Sequence, residues 1–148
     1  MNWHMKRFSE LTNEELYGLL KARVDVFVVE QECPYEDIDN LDQQAMHYFA
    51  EHDGEIAATV RILPRKTTYE EVAIGRVLVV KKFRGQGLAR KIMQQAITFI
   101  HEEWKEKEIK LQAQTYLQSF YESLGFKQVS EVYEEDEIPH IDMLLTIK

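Results

Sequence analysis

The stretch Val77-Leu-Val-Val-Lys-Lys-Phe-Arg-Gly-Gln-Gly-Leu-Ala-Arg-Lys91 decides the fold. It begins as an apolar, β-branched run, turns through a short basic loop holding Gly85 and Gly87, and ends by opening an amphipathic helix pattern. Strand, glycine loop and helix start in direct succession build an anion site, because free backbone N–H groups and the positive helix end converge on one point. A phosphate-bearing cofactor is the anion that such a site suits.

The charge pattern agrees. The chain carries −8 overall, yet Val72 to His101 contains no Asp or Glu. That segment holds Arg76, Lys81, Lys82, Arg84, Arg90 and Lys91, so a +6 patch sits in an otherwise acidic chain. A local positive field of this kind concentrates an anionic ligand without making the protein a general nucleic-acid binder.

The remaining bulk features set limits. A length of 148 residues fits one domain with a real core, residues 1–148, and no repeat or proline-rich linker divides it. Cys33 is the only cysteine, so no intrachain disulfide forms and a four-cysteine zinc site is excluded. No other metal-ligand spacing stands out, and Cys33 reads as an incidental thiol. The N-terminus lacks a signal-peptide core and no run approaches a membrane span, so the expected location is the cytoplasm.

Outward from the loop, element signals alternate. Trp3–Phe8 reads as an edge strand, and Thr12-Asn13-Glu14-Glu15 is a capping box opening a helix that runs into Val24–Val29. Glu32–Gln44 is polar and acidic and reads as a loop or as broken helix. Met46–His52 and Glu55–Leu63 flank Asp53-Gly54, a hairpin signal, and Val72–Val80 is a buried strand. After the glycine loop, Leu88, Ile92, Ala96, Phe99/Ile100 and Trp104 mark one face of a long helix. Ile109–Ala113 reads as a strand, Leu117–Leu124 as a short helix stopped by Gly125, and Phe126–Val132 and Ile141–Ile147 as the last strands. The fold class is α/β (α+β): a mixed, mostly antiparallel sheet around a parallel strand–helix–strand core, with helices on both faces.

Two nucleotide motifs fail at the loop. No Gly-Lys-Ser/Thr follows, and Arg90 stands where a dinucleotide fingerprint has its third glycine. What remains, Arg84-Gly-Gln-Gly-Leu-Ala89, matches Arg/Gln-x-x-Gly-x-Gly/Ala. Together with Gln114-Thr-Tyr-Leu-Gln-Ser-Phe-Tyr-Glu-Ser-Leu-Gly-Phe126, it resembles the GCN5-related N-acetyltransferases over nearly the whole chain. Arg23-x-x-x-Phe-Val-Val-Glu-Gln31, Pro34-Tyr-x-Asp-x-Asp39, Ile74-Gly-Arg-Val77 and Val132-Tyr-Glu-Glu-Asp-x-Ile-Pro-His140 are similar to the ElaA-like bacterial subfamily. The N-terminal Arg…Glu-Gln stretch also echoes the acyl-homoserine-lactone synthases.

The resemblance implies acetyl-CoA as co-substrate, no metal, and a small-molecule or peptide amine as acceptor, with a homodimer allowed and no nucleic-acid or membrane partner. By resemblance, pantetheine pairs with Val77, Leu78 and Val79. The pyrophosphate lies on Gly85, Gln86, Gly87, Leu88, Ala89 and Arg90, with Arg84 in support. Tyr121 matches the family's general acid, and Gln114 replaces a common asparagine that meets pantetheine. Acyl transfer to an amine also needs a proton acceptor. Glu30, His47 and His140 are the candidates, each with a bland alternative: an ion pair or cap, a satisfied core histidine, a loop-orienting contact. Arg76 binds either an acceptor carboxylate or an internal acid such as Asp37 or Asp39. Two other readings stand beside N-acetyltransferase: an acyl-homoserine-lactone-synthase-like acyltransferase, and a non-catalytic CoA-binding regulator.

Overall fold

The structure, a computed structural model, describes residues 1–148. One sheet of eight strands organises it, ordered β1-β2-β3-β4-β5-β8-β6, with β7 also paired to β8. The strands are β1 (Asn2–Arg7), β2 (Met46–His52), β3 (Glu55–Leu63), β4 (Val72–Val79), β5 (Glu108–Gln114), β6 (Lys127–Gln128), β7 (Tyr133–Glu135) and β8 (Ile138–Thr146). Only β4 and β5 are parallel. They are joined by α2 (Leu88–Glu102), the crossover helix that parallel strands require.

The helices take opposite faces. Helix α1 (Asn13–Arg23) starts at the Thr12/Glu15 capping box, whose two reciprocal hydrogen bonds are both formed. It continues as a wider, π-helical segment, Val24–Glu30, seen in the bond from Gln31 N–H to the Val26 carbonyl. Ala22 and Val26 there pack on Leu78, with Ile56 beside them. On the other face, α2 buries Leu88, Ile92, Met93, Ala96 and Ile100 against Val60, Ile62, Ile74, Ile109 and Leu111. Each large apolar side chain buried this way contributes about 1.5–3 kcal/mol. No helix is long and apolar enough to cross a membrane.

Strand β8 starts at Ile138 rather than Ile141, and three further elements differ from the sequence reading. Trp104 packs on the core from beyond the end of α2. The short helix α3 spans Gln118–Glu122, preceded by a 3₁₀ turn at Thr115–Leu117. Phe126–Val132 is not one strand. The Asp142 N–H donates to the Ser130 hydroxyl (2.8 Å), and Val129 N–H donates to the Asp142 carbonyl (2.9 Å). A side chain therefore replaces a ladder partner, so the chain bows out between β6 and β7. Strand β7 then forms a tight hairpin with β8 through Asp136 and Glu137, both at positive φ (52° and 63°).

The distortion that matters most for function lies in β4. Thr59 faces Leu78 and Arg61 faces Gly75, so Val60 alone opposes both Arg76 and Val77. This is a β-bulge, with Arg76 at φ +51°. Beyond it β4 leaves β5: their pairing stops at Ala73↔Lys110. From Gly75 to Val79 the edge of β4 that would face β5 has no strand partner.

Candidate active site

The splayed strands open a cavity of ≈700 Å³. One wall is the free stretch of β4, including Val77, Leu78 and Val79, and the opposite wall is the end of β5 with Leu111, Gln112 and Gln114. The N-terminus of α2 contributes Gly85, Gly87, Leu88 and Ala89, and the α3 region contributes Tyr116, Leu117, Phe120 and Tyr121. The loop after α1 and the β7–β8 hairpin close the far side, meeting where the Cys33 thiol approaches the Asp136 carbonyl (3.7 Å).

The glycine turn offers a cradle. The first intrahelical bond of α2 runs from Lys91 N–H to the Gly87 carbonyl (3.2 Å), so the N–H groups of Leu88, Ala89 and Arg90 have no partner in the helix. Gly87 caps α2 in the left-handed region at φ +76°, and a Cβ there would meet no protein atom within 4 Å. The space beside the turn is open, and the turn needs glycine. Gln86 and Arg90 do not line the cavity with their side chains. Arg90 instead donates to the Ser123 hydroxyl (2.9 Å) and lies over the Phe120 ring, 5.5 Å from its centre. Arg84 spans the turn, donating to the Val79 carbonyl (2.9 Å) and gripping both oxygens of Glu30 (2.6 and 3.0 Å).

That grip changes the reading of Glu30. Its hydrogen bonds from Arg84 hold the carboxyl below the usual range. A stabilised carboxylate is a poorer base, and the ion-pair alternative describes it, with Arg84 as partner.

His47 is corrected as well. It is 3% exposed and lies outside the cavity, on the face of β2 shared with Arg61, and its Nε2 donates to the Asp42 carbonyl (2.9 Å). Burial pushes its pKa below the ordinary value of about 6.5. It belongs to a buried ionic network. Arg23 donates to Asp37 and Asp42 (2.8 Å each), and Arg61 binds Asp42 (3.1 Å) and both oxygens of Asp39 (2.8 Å). Burial alone would raise the Asp42 pKa, but Arg23 and Arg61 outweigh it and hold the group low.

A pH dependence follows. Between the folded and unfolded values of His47, the unfolded chain binds a proton that the native one refuses, so stability rises with pH across that window. Denaturant midpoints are expected to fall as pH drops below about 6.5, well above the range near 4 where the aspartates begin to titrate. In His47→Gln the loss between pH 7 and pH 5 shrinks. An unchanged loss would remove His47 as its source.

Arg76 resolves toward internal acids. Its Nε lies 2.9 Å from Asp37, its Nη2 donates to the Asp37 carbonyl (3.1 Å) and to Asp39 (3.3 Å), and its guanidinium covers the Tyr35 ring. Tyr35 in turn donates to Asp37. This clamp ties the acidic loop to the bulge in β4.

Two buried titratable groups line the cavity with a free polar atom. Tyr121 is 7% exposed, its hydroxyl has no protein partner, and burial, helped by Tyr116, has its pKa pushed up to about 12. His140 is 9% exposed, opposite Gln114 in the β5–β8 ladder. Its Nδ1 donates to the Ile138 carbonyl (2.7 Å), which fixes the neutral ring as the tautomer with an unprotonated Nε2. Tyr133 stacks on it at 6.3 Å and donates to Asp142 (2.5 Å), where Tyr69 also donates (2.9 Å). Gln114 donates to Gln31 (3.3 Å) at the cavity wall. Gln31 and Tyr133 fall within the ElaA-like stretches without a site role there, and Tyr69 and Asp142 did not stand out in the sequence, so the Tyr69–Asp142–Tyr133 group was not read. Only the alternation that puts His140 and Asp142 on one face of β8 hinted at it.

A bulged strand splayed from its parallel neighbour, with a glycine turn at a helix start between them, defines an acyltransferase architecture. The chain belongs to the acetyltransferase (GNAT) family, whose domain matches residues 9–147. Within it the chain is ElaA-like. Protein ElaA of Escherichia coli (strain K12) is 43% identical over 145 residues, which is 97% of this chain and 95% of that one. The crystal structure of Escherichia coli ElaA superposes with a TM-score of 0.91 at 41% identity, covering 98% of this chain and 99% of that one. An acyl-CoA N-acyltransferase from Pseudomonas aeruginosa superposes with a TM-score of 0.93, also at 41% identity and over 98% and 99% of the two chains. A GNAT family acetyltransferase from Elizabethkingia anophelis with acetyl-CoA bound shares the fold, at a TM-score of 0.65 and 16% identity over 99% of this chain and 97% of that one.

Proposed function

We propose that this protein transfers an acetyl group from acetyl-CoA to the nitrogen of an amine, with Tyr121 as general acid and His140 as general base. The observation that carries the reading is the meeting of four features in one cavity: the glycine turn, the free edge of β4, the unpartnered Tyr121 hydroxyl and the unprotonated Nε2 of His140. The open space at Gly87 and the unpaired amides of Leu88, Ala89 and Arg90 fit a pyrophosphate. The backbone of Val77–Val79 fits an extended amide-bearing arm, with Gln114 across from it.

The chemistry then balances. The amine nitrogen bonds to the thioester carbon, and the C–S bond breaks. Nε2 of His140 takes the proton that the nitrogen loses, and the Tyr121 hydroxyl gives its proton to the departing sulfur. Solvent returns the proton from imidazolium to phenolate. Of the three base candidates, His140 alone lines the cavity with an acceptor nitrogen that no cation holds. His47 is sealed in the ionic network, and Glu30 is held by Arg84.

Thiol release from acetyl-CoA, measured against a panel of amines, tests the reading. His140→Gln is expected to lower kcat/KM about 100-fold while leaving acetyl-CoA affinity within twofold. A rate within threefold of wild type would reduce His140 to a residue that orients the hairpin. Acetyl-CoA binding without turnover on any amine would favour the non-catalytic regulator instead.

A further inference from the structure

Charge at the acceptor side of the cavity is lopsided. Seven Asp, Glu, Lys and Arg side chains line the cavity: Glu30, Glu36, Asp39, Glu135, Asp136, Arg76 and Arg84. Arg84 is spent on Glu30, and Arg76 on Asp37 and Asp39. Glu36, Glu135 and Asp136 have no cation within 4 Å and are exposed. They come from two segments, the loop after α1 and the β7–β8 turn, which touch at Cys33 and Asp136. His140, nine-tenths buried, lines the same cavity with its Nε2 free. In the proposed reaction the nitrogen gives up its proton at His140, which shares the short β7–β8 hairpin with Glu135 and Asp136, so these acids flank the acceptor.

From this geometry we infer that the acceptor is an amine bearing a second positive charge, selected by Glu36, Glu135 and Asp136. The inference rests on the acyltransferase reading of the same cavity. An α-amino acid is disfavoured on two counts: its carboxylate would face the three acids, and the one nearby cation, Arg76, is already clamped. A neutral-tailed monoamine gains nothing from the acids. A diamine presents one nitrogen to His140 and keeps the other charged among the carboxylates. The field also separates the two substrates, since the polyanionic donor is drawn to the basic turn at Lys81–Lys91 and repelled from the acidic side.

The test compares kcat/KM for 1,4-diaminobutane, spermidine, 1-aminobutane, L-alanine and an N-blocked Lys-Arg peptide. The small polyamines, 1,4-diaminobutane and spermidine, are expected to exceed 1-aminobutane at least tenfold, with L-alanine slowest, and the preference is expected to shrink in 0.5 M salt as screening grows. The peptide arm distinguishes a basic peptide from a free polyamine as the source of the second charge. In the triple variant Glu36→Gln, Glu135→Gln, Asp136→Asn, the diamine-to-monoamine ratio is expected to fall to within threefold of one. All three side chains are exposed, so the change removes charge without opening the core. Equal rates for diamine and monoamine, a preference for L-alanine, or a ratio that survives the triple variant would each overturn the assignment while leaving the acyltransferase reading intact. No turnover of any amine would overturn both.

Discussion

Gly87→Glu is expected to abolish acetyl-CoA binding, raising Kd at least 100-fold by calorimetry. Two effects add. A non-glycine residue held at φ +76° costs about 1–2 kcal/mol of backbone strain, which loosens the start of α2. The new carboxylate also projects into the open space beside the unpaired amides of Leu88–Arg90, occupying the anion site with a tethered anion. The strain and the location separate cleanly. Gly54, in the β2–β3 turn, has nearly the same φ, +78°, and equally open surroundings, yet lies outside the cavity. Gly54→Glu is therefore expected to lose comparable stability and retain acetyl-CoA affinity within twofold. If Gly87→Glu binds as wild type does, the cradle is misassigned and the cavity takes its anion elsewhere. If both variants lose binding together, global destabilisation is the cause.

The parts of this fold that were legible in sequence are those written locally. The Thr12–Glu15 capping box, the Asp53-Gly54 hairpin and the strand–turn–helix around Gly85 and Gly87 each declare themselves within a few residues, and each is where it was expected. What stayed hidden depends on contacts distant in the chain. The bulge at Arg76 lies in a β-branched run that reads as regular strand, and the partners of its side chain, Asp37, Asp39 and Tyr35, come from a distant loop. The break after Gln128 is made by a hydroxyl, Ser130, taking an N–H twelve residues away. The β7–β8 turn uses Asp136 and Glu137 at positive φ, with none of the glycine or asparagine that signals such turns. For the site, the motifs pointed to the glycine turn and Tyr121, which line one cavity in the structure. They did not rank Glu30, His47 and His140, because burial and the partner at each residue's second polar atom decide that, and neither is encoded in spacing.

Tyr121→Phe is expected to lower kcat by about 100-fold or more, with acetyl-CoA affinity held within twofold. The phenol's pKa of about 12 keeps it protonated across the working range, so it always has a hydrogen to give. Taken alone, that value makes it a weak acid for the task. A thiol in water sits near 8.5, so full transfer would be uphill by roughly 3 to 4 pKa units, about 5 kcal/mol. The burial that raises the phenol acts on the sulfur too. A thiolate leaving beside the same apolar wall, which Phe120 and Leu117 help to line, would lose hydration and become more basic, which closes much of the gap. In the proposed reaction Tyr121 acts by a hydrogen bond that strengthens as charge develops on sulfur. This account has a signature that a merely structural tyrosine lacks. Acetyl thioesters of more acidic thiols need less help, so the wild-type to Tyr121→Phe rate ratio is expected to shrink as the leaving thiol's pKa falls. A ratio independent of the leaving group, or a kcat within threefold of wild type, would make Tyr121 a packing residue and send the search for the acid to Tyr116, the other phenol on that wall.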